Sequence, residues 1–342
     1  MKVSLAQIAD RVGCSRISVS RALRNGPKVA PEVRRKILAA ARSLGWRPDP
    51  RLSRAMSELR VSALRVSTAE TIVLVWPDGN EETIGRHPAL RLLRSGARSR
   101  ADAQGFAFEE VFFSTCGLRP QRLSQVLYAR GVAGLIAGPV SFHDHLRLPL
   151  DWSRFSAIAV GVGLAEPRLS RVHNDHHHTM AECLRRLASA GGRRIALALY
   201  PETAERLDGL LDGAFLARHP LGREEAARLL HIVDDDRGPA MAAWLETARP
   251  DHVLGEQPDD TWLAPARALL PPRSRRSFRY ATFNWLETSP GTPGMNQCFD
   301  RIGAAAVDAV IAQYHRNERA FSTRPRHILT QGEWIKPSPR RT

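Results

Sequence analysis

Cysteine is scarce in this chain. Four occur in 342 residues, and Cys14, Cys116, Cys183 and Cys298 stand too far apart to form a CxxC pair. That spacing excludes a zinc site built on paired cysteines and predicts reduced, structural thiols. Long apolar runs are also missing. No window approaches the roughly 20 apolar residues of a membrane span, and residues 1–30 hold no uninterrupted apolar stretch of the signal-peptide kind. The expectation is a soluble, cytoplasmic protein with no membrane contact. GxSxG, HExxH, Walker and GxGxxG signatures are absent, so the sequence gives enzymatic activity no positive support and implies no cofactor. Acidic residues run short as well: 35 Asp+Glu face 50 Lys+Arg, for a net charge of +15.

That excess is concentrated. Residues 1–60 hold 14 Lys+Arg against Asp10, Glu32, Asp49 and Glu58, a balance of +10, and the rest of the chain carries only +5. A basic N-terminal segment is what a phosphate-binding surface requires. A hydrophobic content of 43% is ordinary for a globular core, and the length allows a small head plus one bilobed domain.

The chain is organised around residues 4–24, SLAQIADRVGCSRISVSRALR. Ser4 with Gln7 three residues on forms a capping-box pattern. Leu5, Ile8, Ala9 and Val12 then recur at helical spacing, and Gly13 supplies a turn. Ser15 can cap a second helix, with Val19, Ala22 and Leu23 on its apolar side and Arg16, Ser18, Ser20 and Arg21 on the other. Two helices joined this way form a helix-turn-helix, whose second helix enters the DNA major groove. A third helix follows in VAPEVRRKILAAARSLGW, started by Pro31, striped by Val33, Ile37, Ala40, Ala41 and Leu44, and stopped by Gly45.

These motifs resemble the head of the lac-repressor (LacI/GalR) family: SVSRALRN for its recognition helix, VAPEVRRKI for the next entry, and LGWRPDP for its exit. By that resemblance Arg16 and Ile17 open the recognition helix and Arg21 lies one turn on, so these three are implied to touch base edges. Ser15, Ser20 and Lys28 are implied to hold phosphates, with Ser4 and Arg24 also on the DNA side. The resemblance further implies that the linker forms a hinge helix on DNA, wedging an apolar side chain into the minor groove. Met56 is the candidate wedge, within RLSRAMSELR.

Beyond the linker the pattern alternates. Apolar runs of strand length (TIVLVW, FAFEEVFF, VAGLIAG, FSAIAVGV, RRIALALY, LLHIVD, HVLGEQ, FRYATF) alternate with helices over 89–103, 120–130, 178–190, 203–217, 239–248 and 261–270. Strands separated by helices of that length predict βαβ units and parallel sheets. The same run resembles the family's effector domain, a two-lobed, periplasmic-binding-protein-like fold, with GMNQCFDRIGAAAVDAVIAQ as a crossing back to the first lobe. The expected fold class is therefore α/β, a three-helix head followed by two lobes with parallel sheets. The expected organisation is head 1–46, linker with hinge helix 47–68, two-lobed effector-binding and dimerisation domain 69–336, and basic tail 337–342.

Ligands of such folds sit between the lobes, at the carboxyl ends of strands. The resemblance places Asp175, Arg206 and Asn284 there as polar contacts, a set suited to the vicinal hydroxyls of a sugar. Trp76, Trp262 and Trp285 fall just after strands or at helix starts, where an indole can stack on a sugar face or simply pack. Where the family carries Asn-Asp this chain has GEQPDDTW. The adjacent His176, His177 and His178 point in different directions from a helix start and do not converge on one metal ion. Together these readings imply a DNA-binding transcriptional regulator, a homodimer on a near-palindromic operator, modulated by a small ligand. The alternative is the same head fused to a catalytic domain such as a sugar kinase, which would need a phosphate-cradling glycine-rich loop.

Overall fold

A computed structural model describes residues 4–23, 29–46, 70–140, 146–233, 238–257, 261–275, 278–288, 291–320 and 324–336. The head holds α1 (Leu5–Val12), α2 (Arg16–Leu23) and α3 (Pro31–Ser43). Ser4 and Gln7 close a reciprocal capping box at the start of α1, and Gly13 ends it in the left-handed conformation at φ 69°. Ile8, Ala9, Val19, Ala22, Ile37 and Ala41 are buried together, with Leu5, Val12, Leu23 and Leu44 packed around them. Val33 departs from its expected place in the stripe: it is 36% exposed, on the outer side of α3.

The first lobe runs through β1 (Thr71–Trp76), α4 (Glu81–Arg86), α5 (Pro88–Ala103), β2 (Ala107–Phe112), α6 (Pro120–Ala129), β3 (Gly134–Ala137), β4 (Leu146–Arg147), β5 (Ser156–Val160), β6 (Leu164–Glu166) and β7 (Arg171–Asn174). The chain then crosses to the second lobe. There it forms α7 (His176–Ser189), β8 (Ile195–Leu199), α8 (Pro201–Arg206), α9 (Asp212–Arg218), α10 (Arg223–Arg228), β9 (Leu230–Ile232), α11 (Pro239–Ala248), β10 (His252–Gly255), α12 (Ala264–Leu269), α13 (Pro272–Arg275), β11 (Arg279–Thr282) and β12 (Gly294–Asn296). It returns as α14 (Phe299–His315) and β13 (His327–Thr330), and crosses a third time into β14 (Glu333–Ile335). One helix expected over 203–217 is in fact α8 and α9, broken where Asp208 and Gly209 both take positive φ.

The two sheets have matching orders, β13-β7-β5-β3-β1-β2 and β14-β12-β11-β10-β8-β9. Every pairing within them is parallel except β12 with β14. In each lobe the first strand lies between the second and third, which makes a switch point where connections leave in opposite directions. One face of the first sheet packs Ile72, Leu74 and Trp76 against α5 and α14; the other packs Val73, Val75 and Leu135 against α6. In the second lobe, Met180, Leu184 and Phe215 from α7 and α9 cover one face, and Met241, Leu245 and Ala266 from α11 and α12 cover the other.

The helices α5 and α14 meet backbone to backbone. A Cβ on Gly303 would overlap the Leu93 carbonyl oxygen, and one on Gly96 would overlap that of Asp300. Gly303→Ala is expected to cost at least about 1–3 kcal/mol of stability by forcing the helices apart. Urea denaturation would check this, and an unchanged midpoint would contradict such close packing.

Candidate functional site

In the head, Ser15 accepts a hydrogen bond from the Ser18 backbone N–H at 3.1 Å and caps α2, while its hydroxyl lies 2.9 Å from that of Ser18. Arg16 and Arg21 are exposed on α2, Ser20 is half-buried, and Ile17 lies in the first turn. Ser4 is exposed at the start of α1. Arg24, Lys28 and Met56 lie outside the described residues, as do the linker 47–68 and the tail 337–342.

Between the lobes lies a cavity of about 840 Å³. Its walls are the residues just past strand ends: Pro139 and Val140 after β3, Gly161 and Val162 after β5, Tyr200 and Pro201 after β8, Glu256 and Gln257 after β10, Phe283 and Asn284 after β11, and Gln297 after β12. His173 and Asn174 from the end of β7, His176 from the start of α7, His87 before α5, and Glu202, Thr203 and Arg206 from α8 complete the polar lining. Parallel strands in both lobes aim their carboxyl ends at one gap, so the topology itself gathers these side chains.

The polar groups form a short relay. The Arg206 guanidinium donates to the Thr203 hydroxyl at 3.3 Å, and that hydroxyl donates to Glu256 Oε1 at 2.8 Å. Burial lowers the pKa of Arg206 and raises that of Glu256, and the opposite charge of each partly offsets the other's shift. Three buried lining atoms, Glu256 Oε2, Asn284 Oδ1 and His176 Nδ1, have no hydrogen-bond partner. Buried polar atoms of this kind cost free energy until something pairs with them.

Beside them the rings of His173 and His176 stack, with centroids 5.8 Å apart and planes 16° from parallel. His173 Nδ1 lies 2.9 Å from the Asn174 carbonyl and its Nε2 lies 3.1 Å from His327 Nδ1. Nδ1 must then donate to the carbonyl, leaving Nε2 to accept from His327 while both rings are neutral. Burial pushes His176 down to about 3, with His173 and Arg206 adding to the effect.

Two expected cleft residues are corrected. Trp76 is wholly buried against α5 and donates its indole N–H to Glu110 at 2.8 Å, so it does not line the cavity. Asp175 spends its carboxylate as the cap of α7, accepting from the His178 N–H at 2.9 Å, and it too is absent from the lining. Arg206, Asn284 and Trp262 line the cavity, whereas Trp285 does not. Glu256, Thr203, His87, His173 and His176 were not anticipated as lining residues. The signal available for Glu256 was the departure GEQ at a strand end. His177 is exposed and His178 half-buried, and among the described residues no group of three or more His, Cys, Asp or Glu side chains is placed to hold a metal ion. No helix among them is long and apolar enough to cross a membrane.

Residues 4–49 match the family of bacterial regulatory proteins, lacI family. The chain is 25% identical over 220 residues to the HTH-type transcriptional regulator CelR of Thermobifida fusca, covering 63% of this chain and 62% of that one. It is 28% identical over 207 residues to the HTH-type transcriptional regulator MalR of Streptomyces coelicolor, covering 59% and 55% respectively. The match thus spans about three fifths of the length of these curated relatives. Among solved structures, a transcriptional regulator CelR–cellobiose complex aligns over 98% of this chain and 99% of its own, at TM-score 0.54 and 21% identity, which establishes the shared fold.

Proposed function

We propose that this chain, whose residues 4–49 match the lacI family of bacterial regulatory proteins, is a sequence-specific DNA-binding transcriptional regulator, a repressor rather than an enzyme. Its operator affinity is set by a small polyhydroxylated ligand, a sugar, held between the lobes. The observation that carries this reading is the cleft's unmet hydrogen bonding. Glu256 Oε2, Asn284 Oδ1 and His176 Nδ1 lie unpartnered in residues that line the same cavity as Arg206. Two acceptor oxygens and an imidazole nitrogen that donates or accepts according to tautomer, in a cavity with a fixed donor, suit vicinal hydroxyls, each of which can donate and accept. The solved relative in complex with cellobiose supports the same class of ligand.

In this reading residues 1–46 form the head, 47–68 the hinge, 69–336 the ligand-binding and dimerisation domain, and 337–342 a basic tail. A cytoplasmic homodimer places two heads on a near-palindromic operator. Arg16, Ile17 and Arg21 read bases; Ser4, Ser15, Ser20, Arg24 and Lys28 hold the backbone; Met56 wedges the minor groove. Arg206 and Asn284 hold the ligand.

The test uses paired variants of the full chain, with operator binding measured by fluorescence anisotropy at fixed salt. Arg206→Ala is expected to abolish the response to sugar while leaving ligand-free operator binding intact. Arg16→Ala is expected to relax sequence preference, by about 1–3 kcal/mol for a bidentate guanine contact, and to leave sugar affinity unchanged. An unchanged motif selected from random DNA by Arg16→Ala would refute the base-reading assignment. A normal sugar response from Arg206→Ala would refute the cleft assignment.

A further inference from the structure

We propose that Glu256 makes the cleft selective for uncharged sugars, so that an anionic analogue binds only with uptake of a proton. This rests on the cleft being the ligand site proposed above. Arg206 is the one Lys or Arg side chain among the described lining residues. Sites that recognise phosphate or carboxylate gather several cations around the anion. Here the single guanidinium already shares its field with the buried Glu256 carboxyl, through Thr203.

Hydrogen-bond geometry sharpens the point. The Thr203 hydroxyl has one proton and spends it on Glu256 Oε1. Glu256 Oε2 remains buried at the cavity wall with no donor. A sugar with adjacent hydroxyls can donate to Oε2 from one and accept from Arg206 with its neighbour, completing both without adding charge. A phosphate at the same place offers only acceptors. It would satisfy Arg206 but leave two like charges facing each other at a buried carboxyl, where such contact is costly.

Relief comes from a proton on Glu256, which then donates from Oε2. The groups that set this titration are Thr203, Arg206 and Glu202 on α8, with His173 and His176 lining the cavity from the crossing and His87 before α5. Burial already moves the Glu256 carboxyl upward, which favours that protonated form.

Calorimetry on the full-length protein tests this with matched probes: cellobiose and maltose against their 6′-phosphates. The expected result at neutral pH is binding of a neutral disaccharide and at least about tenfold weaker binding of its phosphate, the equivalent of 1.4 kcal/mol. Lowering the pH to about 5.5 is expected to tighten the phosphate, with proton uptake seen as a dependence of the heat on buffer ionisation. In Glu256→Gln the gap should narrow and the proton uptake should fall to what the phosphate's own second ionisation, at about 6, accounts for. Equal affinity for a neutral disaccharide and its phosphate in the wild type would overturn the proposal and leave the sugar reading intact. So would a proton uptake in Glu256→Gln as large as in the wild type. The wild-type pH series needs no variant to fold. Failure of all four probes to bind would overturn the sugar reading, and this inference with it.

Discussion

Full-length protein carrying Ile37→Ala is expected to lose operator binding while its cleft still takes ligand. Among the described residues of the head, six apolar side chains are buried: Ile8, Ala9, Val19, Ala22, Ile37 and Ala41. Three of the six are alanines, so the two isoleucines and Val19 supply most of the buried volume. A core this small holds a head of some forty residues with only about 3–5 kcal/mol in hand. Truncating a buried isoleucine to alanine removes about 2–5 kcal/mol, transfer and cavity terms together. The two figures are of the same size, so the head unfolds or nearly so and presents no recognition helix. Anisotropy on operator DNA would report the loss, and calorimetry on the same sample would report intact ligand binding. Operator affinity within about twofold of wild type would mean that the head draws stability from contacts outside its own core.

Acid is expected to loosen the first crossing between the lobes. His173, His176 and His327 all have lowered pKa values, with burial as the leading cause in each. A histidine with a lowered pKa resists protonation in the folded arrangement. Its contribution is therefore fully present above the ordinary value of 6.5 and is lost as pH falls below it. For His176, which goes down to about 3, the loss amounts to about 2 kcal/mol by about pH 5. His173 cannot take a proton on Nε2 without His327 surrendering the proton it donates there, so the pair resists double charging. Thermal unfolding of the full chain should drop by several degrees between about pH 7 and pH 5. His176→Gln should flatten part of that slope. An equal slope in the variant would assign the acid sensitivity to other groups.

How far the sequence carries depends on whether a rule is local. The head follows local rules at its helix ends: the Ser4–Gln7 box, Gly13 in its left-handed turn and Pro31 opening α3 are all as the pattern requires. Eight strands of the two lobes were readable as apolar runs, whereas β4, β6, β7, β12, β13 and β14, all of two to four residues, were not. The cleft was not, because its lining depends on which side chain of each strand end faces the gap. TIVLVW is apolar on both faces, so its alternation gives no hint that Ile72, Leu74 and Trp76 share the face covered by α5 and α14. Asp175 was misplaced for a related reason. The expected helix began at 178, whereas α7 begins at His176, which makes Asp175 its cap. Arg206 and Asn284 could be located because a motif fixed them, but Glu256 and the histidine stack emerge only when separate strand ends meet.

The three crossings between the lobes have a further consequence, for the order in which the protein can be made. The second lobe is built almost wholly from one continuous stretch, α7 through β12, and only β14 joins it afterwards. The first lobe is interrupted. Its inner helix α14 and edge strand β13 are encoded some 120 residues after β7, yet Ile302, Val307 and Val310 sit in the same cluster as Ile72 and Leu74. On the ribosome, the lobe encoded later can close first, while the earlier one waits with an uncovered sheet face. Contacts of such long sequence separation fold slowly and expose apolar surface in the interval. A nascent chain stalled before residue 299 would therefore hold one lobe lacking only β14 and one open lobe, and the open one is where a chaperone would bind.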